Sequence, residues 1–600
     1  MTRIQGASDA AVLGSPQRTI ESRPEVRAMS AGILARLLEH SARTPHKTLY
    51  TRLDRGESVA EERSYAALLE RVATIAAALS EAGHRGERAL LLYVNPLEFI
   101  ESFLACLAAG VTAVPVAVPS PRHLDAILPI VRDASVRCVL AGRRERQTLR
   151  PGLDALAGLA WPELDEQALS GLAPDLRLIE AAAAGPAERI AFLQYTSGST
   201  AQPKGVMVSH GNLDANERVI ANAMRIHRDS VVVGWLPHYH DMGLIGNLLQ
   251  PLHQGAQCVL MQPTDFIQKP LRWLRAISRF AGTVSGGPNF AYELCLKRID
   301  PAEQETLALR HWEVAFIGAE PVRGETVARF VERFASQGLR GSSMFPCYGM
   351  AESTLFVAGA RHGQGAAAIG LRANALSVGA AVVRAEPDEP GAACFIGCGT
   401  AAPGTALRIV DPDRHTLLPD GRIGEIWLRG ASVALGYFGN PQASADSFEA
   451  RLADAPAEAH LRTGDLGTVV DGQLLIVGRL KDMLIVRGRN YYPQDVEACA
   501  QQLDEALTPG GGAVFQSDER VVLVHELSRQ ALRHGQAARI ADAVRVAVIE
   551  GFGIALHDIV FIRPGQLPRT TSGKVRRAQC RRLYESRGFE ALDTATPLEV

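Results

Sequence analysis

The residues best suited to chemistry lie in the run YTSGSTAQPKG, which extends from Tyr195 to Gly205. Glycine lets the backbone approach an anion closely, and hydroxyl and amide groups donate hydrogen bonds to it. Lys204 adds a positive charge. The other predicted phosphate-binding residues are Thr196, Ser197, Gly198, Ser199 and Thr200. The run therefore predicts a site for a nucleotide polyphosphate, and a plain surface turn is the alternative interpretation.

The run differs from a Walker loop, in which glycine is followed by lysine and then by serine or threonine. Here Lys204 precedes Gly205, and Val206 follows. This order argues against kinase-type and motor NTPases and leaves another kind of nucleotide chemistry.

The composition is typical of a globular cytoplasmic protein that binds neither nucleic acid nor an anionic membrane. The 600 residues include 63 Lys and Arg against 65 Asp and Glu, a net charge of −2, whereas nucleic-acid-binding proteins carry a strongly basic surface. The longest apolar run, from Phe103 to Val118, is too short and too interrupted to span a membrane comfortably. The N-terminus lacks the apolar core of a signal peptide. The nine cysteines include no CxxC pair, so we expect buried, reduced thiols.

The spacing of apolar residues predicts an α/β fold in two parts. Residues 1–28 show no periodicity and are expected to form a loose tail. From 29 to 478, strands such as Ala89 to Val94 alternate with helices such as Leu97 to Ala109, which predicts a large body with several sheets, parallel in part. From 479 to 600, short strands and two helices, one of them from about Gln494 to Leu507, predict a small α+β C-terminal domain.

Six further segments follow the first run in a fixed order. They are LPHYHDMGLIG from Leu236, GAEPV from Gly318, YGMAEST from Tyr348, RTGDLG from Arg462, GRLKDMLIVRGRNYYPQDVE from Gly478 and PRTTSGKVRR from Pro568. Together they resemble the adenylate-forming enzymes, the superfamily of acyl-CoA synthetases, luciferases and peptide-synthetase adenylation domains. The resemblance covers about residues 30 to 585 and is closest to the fatty acyl-AMP ligases, through HYHDMGLIG, GRNYYPQDVE and the stretch from Phe356 to Gly399.

This resemblance implies an enzyme that uses ATP to convert a fatty acid to an acyl adenylate and pyrophosphate. The acyl group then passes to the phosphopantetheine thiol of an acyl carrier protein. Too few residues follow Lys574 for a fused carrier domain, so the carrier is expected to be a separate chain. Two alternatives stay open: a fatty acyl-CoA ligase, which shares the first step, and a non-catalytic acyl or nucleotide sensor, which would not need the complete set of charged residues.

The phosphate chemistry needs positive charge. A carboxylate that attacks the α-phosphate of ATP meets like-charge repulsion, so cations and oriented donors must surround the phosphoryl group, with a metal on the pyrophosphate. Lys204, Lys574 and Mg²⁺ would meet this need. The resemblance gives Lys574, in the C-terminal lid, the main catalytic contact to the carboxylate and α-phosphate. It places Glu352 on Mg²⁺, a cation that prefers oxygen ligands.

The resemblance also assigns the nucleoside and acyl contacts. Asp465 and Arg479 would hold the ribose hydroxyls, and His240 would lie beside the acyl carboxylate. The residues expected around the adenine are Gly318, Ala319, Glu320, Tyr348 and Gly349.

The HYHDM segment and the GRLKD segment carry two further expectations. Asp241 and Met242 are features of the acyl-AMP ligase likeness, whereas His238 and His240 alone do not predict a metal site. Lys481 matches a hinge about which the lid would rotate after adenylation.

Two departures from the family pattern and one basic cluster complete the sequence interpretation. Ala201 stands where many relatives have glycine. The stretch from Phe356 to Gly399 is an insertion specific to the acyl-AMP ligases, and its LRANAL segment, from Leu371 to Leu376, lacks an aspartate usual there. This absence weakens the expectation that the insertion restrains the C-terminal lid. A basic face for an acidic carrier, or simply a solvated helix end, is predicted for Arg576, Arg577, Arg581, Arg582 and Arg587.

Overall fold

The computed structural model of the protein describes residues 32–196, 203–372, 376–387, 389, 391–486, 489–518, 520–569 and 575–589. The predicted tail at 1–28 lies outside these ranges. So do several residues of the predicted site, namely Ser197, Gly198, Ser199, Thr200 and Lys574. What the sequence predicts of them stays a prediction.

A mostly parallel sheet contains the two strands on either side of the predicted phosphate-binding run. Within the described residues it has five strands, in the order Cys138–Ala141, Arg88–Leu92, Thr112–Pro115, Ile190–Thr196 and Lys204–Ser209. The first four pair in parallel, as the alternating pattern predicts, and the last is antiparallel to its neighbour. Parallel strands are covered on both faces, which explains why Leu90, Leu91 and Leu92 are all buried.

Helix Pro96–Ala109 illustrates how the local sequence sets the bounds of an element. Asn95 accepts a hydrogen bond from the amide of Leu97 and caps the first turn, and Pro96 has a φ suited to it. Gly110 ends the helix with φ 72°, a left-handed conformation that glycine adopts without strain. The chain then enters strand Thr112–Pro115.

A second sheet forms the centre of the body. In the part of the chain that the structure describes it has nine strands, in the order Thr400–Ala401, Phe356–Gly359, Met344–Gly349, Val314–Ile317, Val284–Gly287, Val231–Gly234, Gln257–Leu260, Thr48–Asp54 and Ser58–Ser64. The strands from Met344–Gly349 to Thr48–Asp54 run parallel. Parallel strands end at one edge of a sheet, so the segments that begin at Gly318 and Tyr348 come together.

The region from 368 to 479 is antiparallel, a feature that the sequence pattern did not predict. One sheet contains Ala406–Val410, Gly424–Arg429, Ala450–Arg451, Ala459–Val470 and Gln473–Arg479. A smaller sheet joins Ala368–Arg372 to Arg384–Ala385 and Ala392–Ile396. The smaller sheet belongs to the insertion that begins at Phe356.

The C-terminal elements have a core of their own. Strands Leu507–Ser517, Arg520–Leu527 and Leu556–Ile562 form a sheet, preceded by the hairpin of Leu484–Val486 and Arg489–Tyr491. Helices Pro493–Gln502 and Ala537–Phe552 pack against that sheet through buried side chains such as Val496 and Val544. The first helix ends earlier than predicted because Leu507 already begins a strand. The predicted division at 478 and 479 stays a prediction.

The helices cover the faces of these sheets. The other α-helices are Ile33–Arg43, Tyr65–Glu81, Leu128–Asp133, Arg143–Ala157, Glu166–Leu169, Leu176–Ala183, His210–Met224, Gln250–Gln254, Pro263–Gln268, Leu271–Arg279, Asn289–Arg298, Pro301–Gln304, Gly324–Phe334, Pro441–Phe448, Arg529–Arg533 and Arg577–Glu585. Short 3₁₀ turns occur at Leu124–Ala126, Ala335–Gln337, Gly341–Ser343 and Ala351–Ser353. Met242–Leu249 forms a π-helix, a rare element that is often found at functional sites.

The sequence predicts buried, reduced cysteines and an apolar run too short to span a membrane comfortably. All nine cysteines lie in the described ranges with free thiols, and six are buried. The expectation of burial is wrong for Cys394, which is exposed at the strand Ala392–Ile396. Among the helices that the structure describes, none is long and apolar enough to cross a bilayer.

Candidate active site

Lys204 stands at the start of a strand, directly opposite Thr196 in the hairpin that holds the predicted phosphate loop. Its Nζ lies 4.5 Å from the centre of the Tyr437 ring, within the range of a cation–π interaction. No ion pair to Lys204 occurs among the described residues. Its charge is therefore not neutralised by a carboxylate of the described residues.

Glu352 lies in the short turn Ala351–Ser353 and is held close to Lys204 through the same tyrosine. The hydroxyl of Tyr437 donates a hydrogen bond to Oε1 of Glu352 at 2.9 Å. The backbone carbonyl of Glu352 accepts from the amide of Ala434 at 2.9 Å. Burial, reinforced by the Glu352 carboxylate, raises the pKa of Tyr437, so its hydroxyl stays protonated and donates. The structure thus brings two predicted site residues together around a third that the sequence interpretation missed.

Asp465, Arg479 and Tyr348 form a second cluster. Asp465 and Arg479 face each other across an antiparallel hairpin, and Nε of Arg479 donates to Oδ1 of Asp465 at 2.9 Å. The hydroxyl of Tyr348 donates to Oδ2 at 2.7 Å. The Asp465 carboxylate raises the pKa of Arg479, and burial followed by the same carboxylate raises the pKa of Tyr348. The predicted ribose residues and a predicted adenine residue are therefore in direct contact.

A buried carboxylate holds the RTGDLG segment in place. Glu425 is 2% exposed, and its Oε2 accepts from Nε of Arg462 at 2.9 Å while its Oε1 accepts from the amide of Gly464 at 3.1 Å. Thr463 accepts from the amide of Asp465 at 3.0 Å. Glu425 therefore holds Arg462 and Gly464 in place, and Thr463 holds the backbone of Asp465 beside them.

The predicted adenine pocket is shaped by close backbone approaches. A Cβ atom on Gly318 would lie 2.6 Å from the carbonyl oxygen of Cys347, and one on Gly349 would lie 1.8 Å from that of Leu355. Larger residues at either position would push neighbouring strands apart. Ala319 has φ 65°, which a residue with a side chain rarely adopts. Such strain is frequent at ligand sites.

Glu320 follows directly and caps a neighbouring helix. Its Oε1 accepts from the amide of Phe290 at 2.6 Å, at the start of Asn289–Arg298. Because helix N-termini favour negative charge, this contact holds the chain after Ala319 against the helix.

His240 and His238 have different surroundings. His238 is 7% exposed, its Nε2 lies 2.8 Å from the carbonyl oxygen of Tyr93, and burial lowers its pKa to about 4. His240 is more accessible, and its Nδ1 is paired with the carboxylate of Asp241, which also accepts from the amide of Met242 at 2.7 Å. His238 is therefore structural, and His240 is the histidine with access to a ligand.

The two ends of the segment that contains Lys574 are paired, although Lys574 itself lies outside the described residues. Arg569 and Val575 form an antiparallel bridge, and the amide of Arg576 donates to the carbonyl of Pro568 at 2.9 Å. The described residues on either side of Lys574 are therefore held together on the C-terminal domain.

The prediction of a basic face is wrong for one of its five arginines, Arg577. Arg577 is largely buried, with a bidentate pair to Glu497 at 2.7 and 2.8 Å and a contact to Asp482 at 3.2 Å. Arg581 is paired with Glu585 at 2.7 Å. Residues three apart in an α-helix lie on the same face, so Arg577 shares a face with the buried Cys580. The run of arginines in the sequence hid this buried face.

The insertion and the C-terminal domain touch each other, even though LRANAL lacks the aspartate on which the expectation of such a restraint depended. The hydroxyl of Tyr492 donates to the backbone carbonyl of Leu376 at 3.3 Å, and both residues are buried. Leu371, Leu376 and Tyr492 belong to one apolar cluster, against which Met483 packs. The YYPQD segment therefore docks on the insertion.

The chain is similar to known proteins over nearly its whole length. The family model described as AMP-binding enzyme matches residues 37–438, and that described as Disco-interacting protein 2-like, AMP domain, matches residues 481–594. JamA of Moorena producens, named a medium-chain fatty-acid acyl-carrier-protein ligase, is 37% identical over 89% of this chain and 91% of its own. FadD21 of Mycobacterium tuberculosis, whose name assigns it as a fatty-acid CoA ligase, is 34% identical over 94% of this chain and 99% of its own.

A solved structure agrees with the fold. The crystal structure of a fatty acyl-adenylate ligase from Legionella pneumophila, in complex with acyl adenylate and pyrophosphate, is 33% identical and gives a TM-score of 0.71. The match covers 92% of this chain and 96% of the Legionella chain. The α/β class and the two-part architecture predicted from the sequence are confirmed by this agreement.

Proposed function

The chain belongs to the AMP-binding enzyme family and is an adenylate-forming ligase that uses ATP, and on that premise we propose that it activates a fatty acid and loads it onto a carrier protein. A carboxylate oxygen of the acid attacks the α-phosphorus of ATP, and the bond to pyrophosphate breaks. The thiolate of a carrier's phosphopantetheine then attacks the acyl carbonyl, and AMP leaves.

The observation that carries this proposal is the placement of two charged clusters. Asp465 and Arg479 offer a fixed carboxylate and a guanidinium to the ribose, as a diol requires. Lys204 lies over the ring of Tyr437 and Glu352 accepts from its hydroxyl, so opposite charges stand close together, as a polyphosphate and its counter-ion need. Lys574 would add the cation at the reacting carboxylate when the lid closes.

Glu352 fits a Mg²⁺ ion that is shared with the substrate phosphates. Its Oε2 makes no hydrogen bond among the described residues, and it is a hard oxygen ligand of the kind that Mg²⁺ prefers. In the described ranges no group of three or more His, Cys, Asp or Glu is arranged to hold a metal, so most ligands would come from phosphate and water. The ion would supply charge neutralisation on the departing pyrophosphate.

A free CoA thiol is the alternative acceptor, and the name of FadD21 favours it. Two features support a carrier protein instead: the acyl-carrier-protein ligase name of JamA, and the docking of Tyr492 on the insertion, which holds the C-terminal domain by a contact that a CoA ligase without the insertion would lack. Arg582 and Arg587 are exposed on the C-terminal domain and suit an acidic carrier. A cytoplasmic location stays a prediction.

The test is incubation of the purified chain with ATP, Mg²⁺ and fatty acids of graded length, alone, with CoA, or with a phosphopantetheinylated carrier protein. Mass analysis of the products follows. We expect acyl-AMP to accumulate alone and with CoA, and to be consumed when the carrier is added. Rapid acyl-CoA formation would favour the alternative, and absence of any adenylate with every acid would leave only the sensor interpretation.

A further inference from the structure

Tyr437 occupies a fixed position in the loop between strand Gly424–Arg429 and helix Pro441–Phe448. Residues 206 and 437 form an antiparallel bridge, and the amide of Phe438 donates to the carbonyl of Gly205 at 2.8 Å. These contacts tie the loop to the strand that begins at Lys204.

The ring of Tyr437 is also clamped from the other side. The backbone amide of Tyr437 donates a hydrogen bond to Oγ of Ser444 at 2.8 Å. The ring packs edge-on against Phe448, with ring centres 5.2 Å apart. Gly436, just before it, has φ 129°, a conformation open to glycine. The side chain is 7% exposed. Its ring and hydroxyl therefore have one defined place in the body.

Tyr437 contacts two side chains of opposite charge, Lys204 and Glu352. The ammonium of Lys204 lies over the ring face, and the hydroxyl holds Oε1 of Glu352. Among the described residues neither Lys204 nor Glu352 has a salt-bridge partner of its own. A lysine and a glutamate that close would ordinarily attract each other into a direct pair, and such a pair would neutralise both groups.

We propose that Tyr437 is a positioning residue that keeps Lys204 and Glu352 apart and oriented, so that the lysine faces the phosphates and Oε2 of the glutamate faces the metal. This inference rests on the proposed function for the identity of the two ligands. The hydroxyl orients the glutamate, because a hydrogen bond on Oε1 leaves Oε2 as the open oxygen. The ring separates the charges and holds the lysine by its π face.

The two parts of the side chain have separable effects. Tyr437→Phe removes the hydroxyl and keeps the ring, so it should weaken metal binding and spare the lysine. Tyr437→Leu removes both, so Lys204 and Glu352 become free to pair, and affinity for the nucleotide should fall as well. A purely structural role for Tyr437 would affect thermal stability without this division.

The experiment measures equilibrium binding and not turnover. Mn²⁺ binding is followed by electron paramagnetic resonance in the presence of a non-hydrolysable ATP analogue, and analogue binding without metal is followed by calorimetry. For Tyr437→Phe we expect the dissociation constant of Mn²⁺ to rise about fivefold or more, as the loss of a hydrogen bond to a charged group implies, with metal-free analogue binding within about twofold. For Tyr437→Leu we expect both constants to rise.

Two controls make the result specific. Tyr50→Phe removes another buried hydroxyl, which donates to the carbonyl of Leu248 at 2.7 Å in a different strand, and should change neither constant. In a Glu352→Gln background, Tyr437→Phe should add little further loss of Mn²⁺ affinity, because the hydroxyl acts through Glu352.

The inference is overturned if Tyr437→Phe binds Mn²⁺ as the unaltered protein does, or if its effect simply adds to that of Glu352→Gln. Its failure is distinct from that of the proposed function, which is decided by whether the unaltered protein forms acyl-AMP. Tyr437→Phe retains nearly all of the side chain, and an unchanged melting temperature will show that it folds.

Discussion

Both oxygens of the Asp465 carboxylate are held by neighbouring side chains: Oδ2 by the hydroxyl of Tyr348 at 2.7 Å and Oδ1 by Nε of Arg479 at 2.9 Å. Each oxygen of a carboxylate has room for more than one hydrogen bond. Asp465 is thus fixed in orientation while still able to accept the two hydroxyls of a ribose.

Tyr348→Phe tests this arrangement. Loss of the hydroxyl should leave Asp465 held by Arg479 alone and raise the KM for ATP by about three- to tenfold, the effect of losing one ordinary hydrogen bond of about 1 kcal/mol, with a small change in kcat. Steady-state kinetics of pyrophosphate release provide the measurement. An unchanged KM would mean that Arg479 alone suffices to orient the carboxylate.

Lys574→Ala tests the catalytic lysine that the resemblance assigns. Losing one preorganised electrostatic contact costs about 2.7 kcal/mol, so the rate of adenylation should fall about a hundredfold while ATP binding changes far less. Single-turnover formation of acyl-AMP measures the rate, and calorimetry measures ATP binding. Lys297→Ala, which replaces an exposed lysine of helix Asn289–Arg298, serves as the control. A variant that keeps more than a third of the rate rules Lys574 out of this role.

Arg577→Met tests the buried ion pair of the C-terminal domain. Removing the arginine leaves Glu497 and Asp482 without their partner, and breaking a buried pair costs about 3–5 kcal/mol. We expect the C-terminal domain to become sensitive to limited proteolysis at temperatures at which the unaltered protein resists. Arg582→Met, on the same helix and exposed, should have no such effect. Equal resistance of the two variants would contradict the structural role of Arg577.

His238 makes stability depend on acid. Its pKa in the folded protein is lowered to about 4 by burial, whereas a free imidazole has a pKa of about 6.5. A group whose folded pKa is depressed contributes stability that is present above the unfolded value and is lost as the pH falls. The free energy of unfolding should therefore decrease between about pH 6.5 and 4.

The comparison is with His238→Asn, which cannot titrate and should lose less stability than the unaltered protein over that interval. Urea denaturation at several pH values measures the difference. His534→Asn, an exposed histidine, is the control and should follow the unaltered protein. Parallel curves for His238→Asn and the unaltered protein would show that His238 does not carry this acid sensitivity.

Lys481→Pro tests the hinge. Lys481 lies in a turn next to Asp482, whose amide donates to the carbonyl of Arg479 at 3.1 Å. Proline fixes φ, so rotation of the C-terminal domain should be hindered and transfer to the thiol slowed, with adenylation largely kept. Separate assays of acyl-AMP formation and carrier loading give the two rates, and Lys481→Ala controls for loss of the charge. Equal slowing of both steps argues against a hinge here.

The sequence predicted the elements whose periodicity is strong, whereas the roles that it gives to residues inside the motifs stay predictions. Helix Pro96–Ala109 and the parallel strands were predictable because burial on both faces leaves long apolar runs. The contact between Tyr348 and Asp465 joins two motifs: Tyr348 lies at the carboxyl end of a parallel strand, and Asp465 reaches it from a strand of the antiparallel sheet.

Tyr437 and Arg577 were beyond sequence reasoning for different reasons. The role of Tyr437 depends on its pairing with a strand more than two hundred positions earlier, which no local pattern encodes. Arg577 lies in a run of arginines that looks solvated, and only the packing of Cys580 and the approach of Glu497 reveal the buried side of its helix.

The acceptor of the Tyr492 hydrogen bond is the main-chain carbonyl of residue 376, and not a side chain. Main-chain carbonyls are present whatever amino acid occupies the position, so mutation of the insertion can replace side chains there without abolishing the contact. The docking of the C-terminal domain on the insertion is thereby tolerant of sequence drift, and the absent aspartate in LRANAL does not remove it.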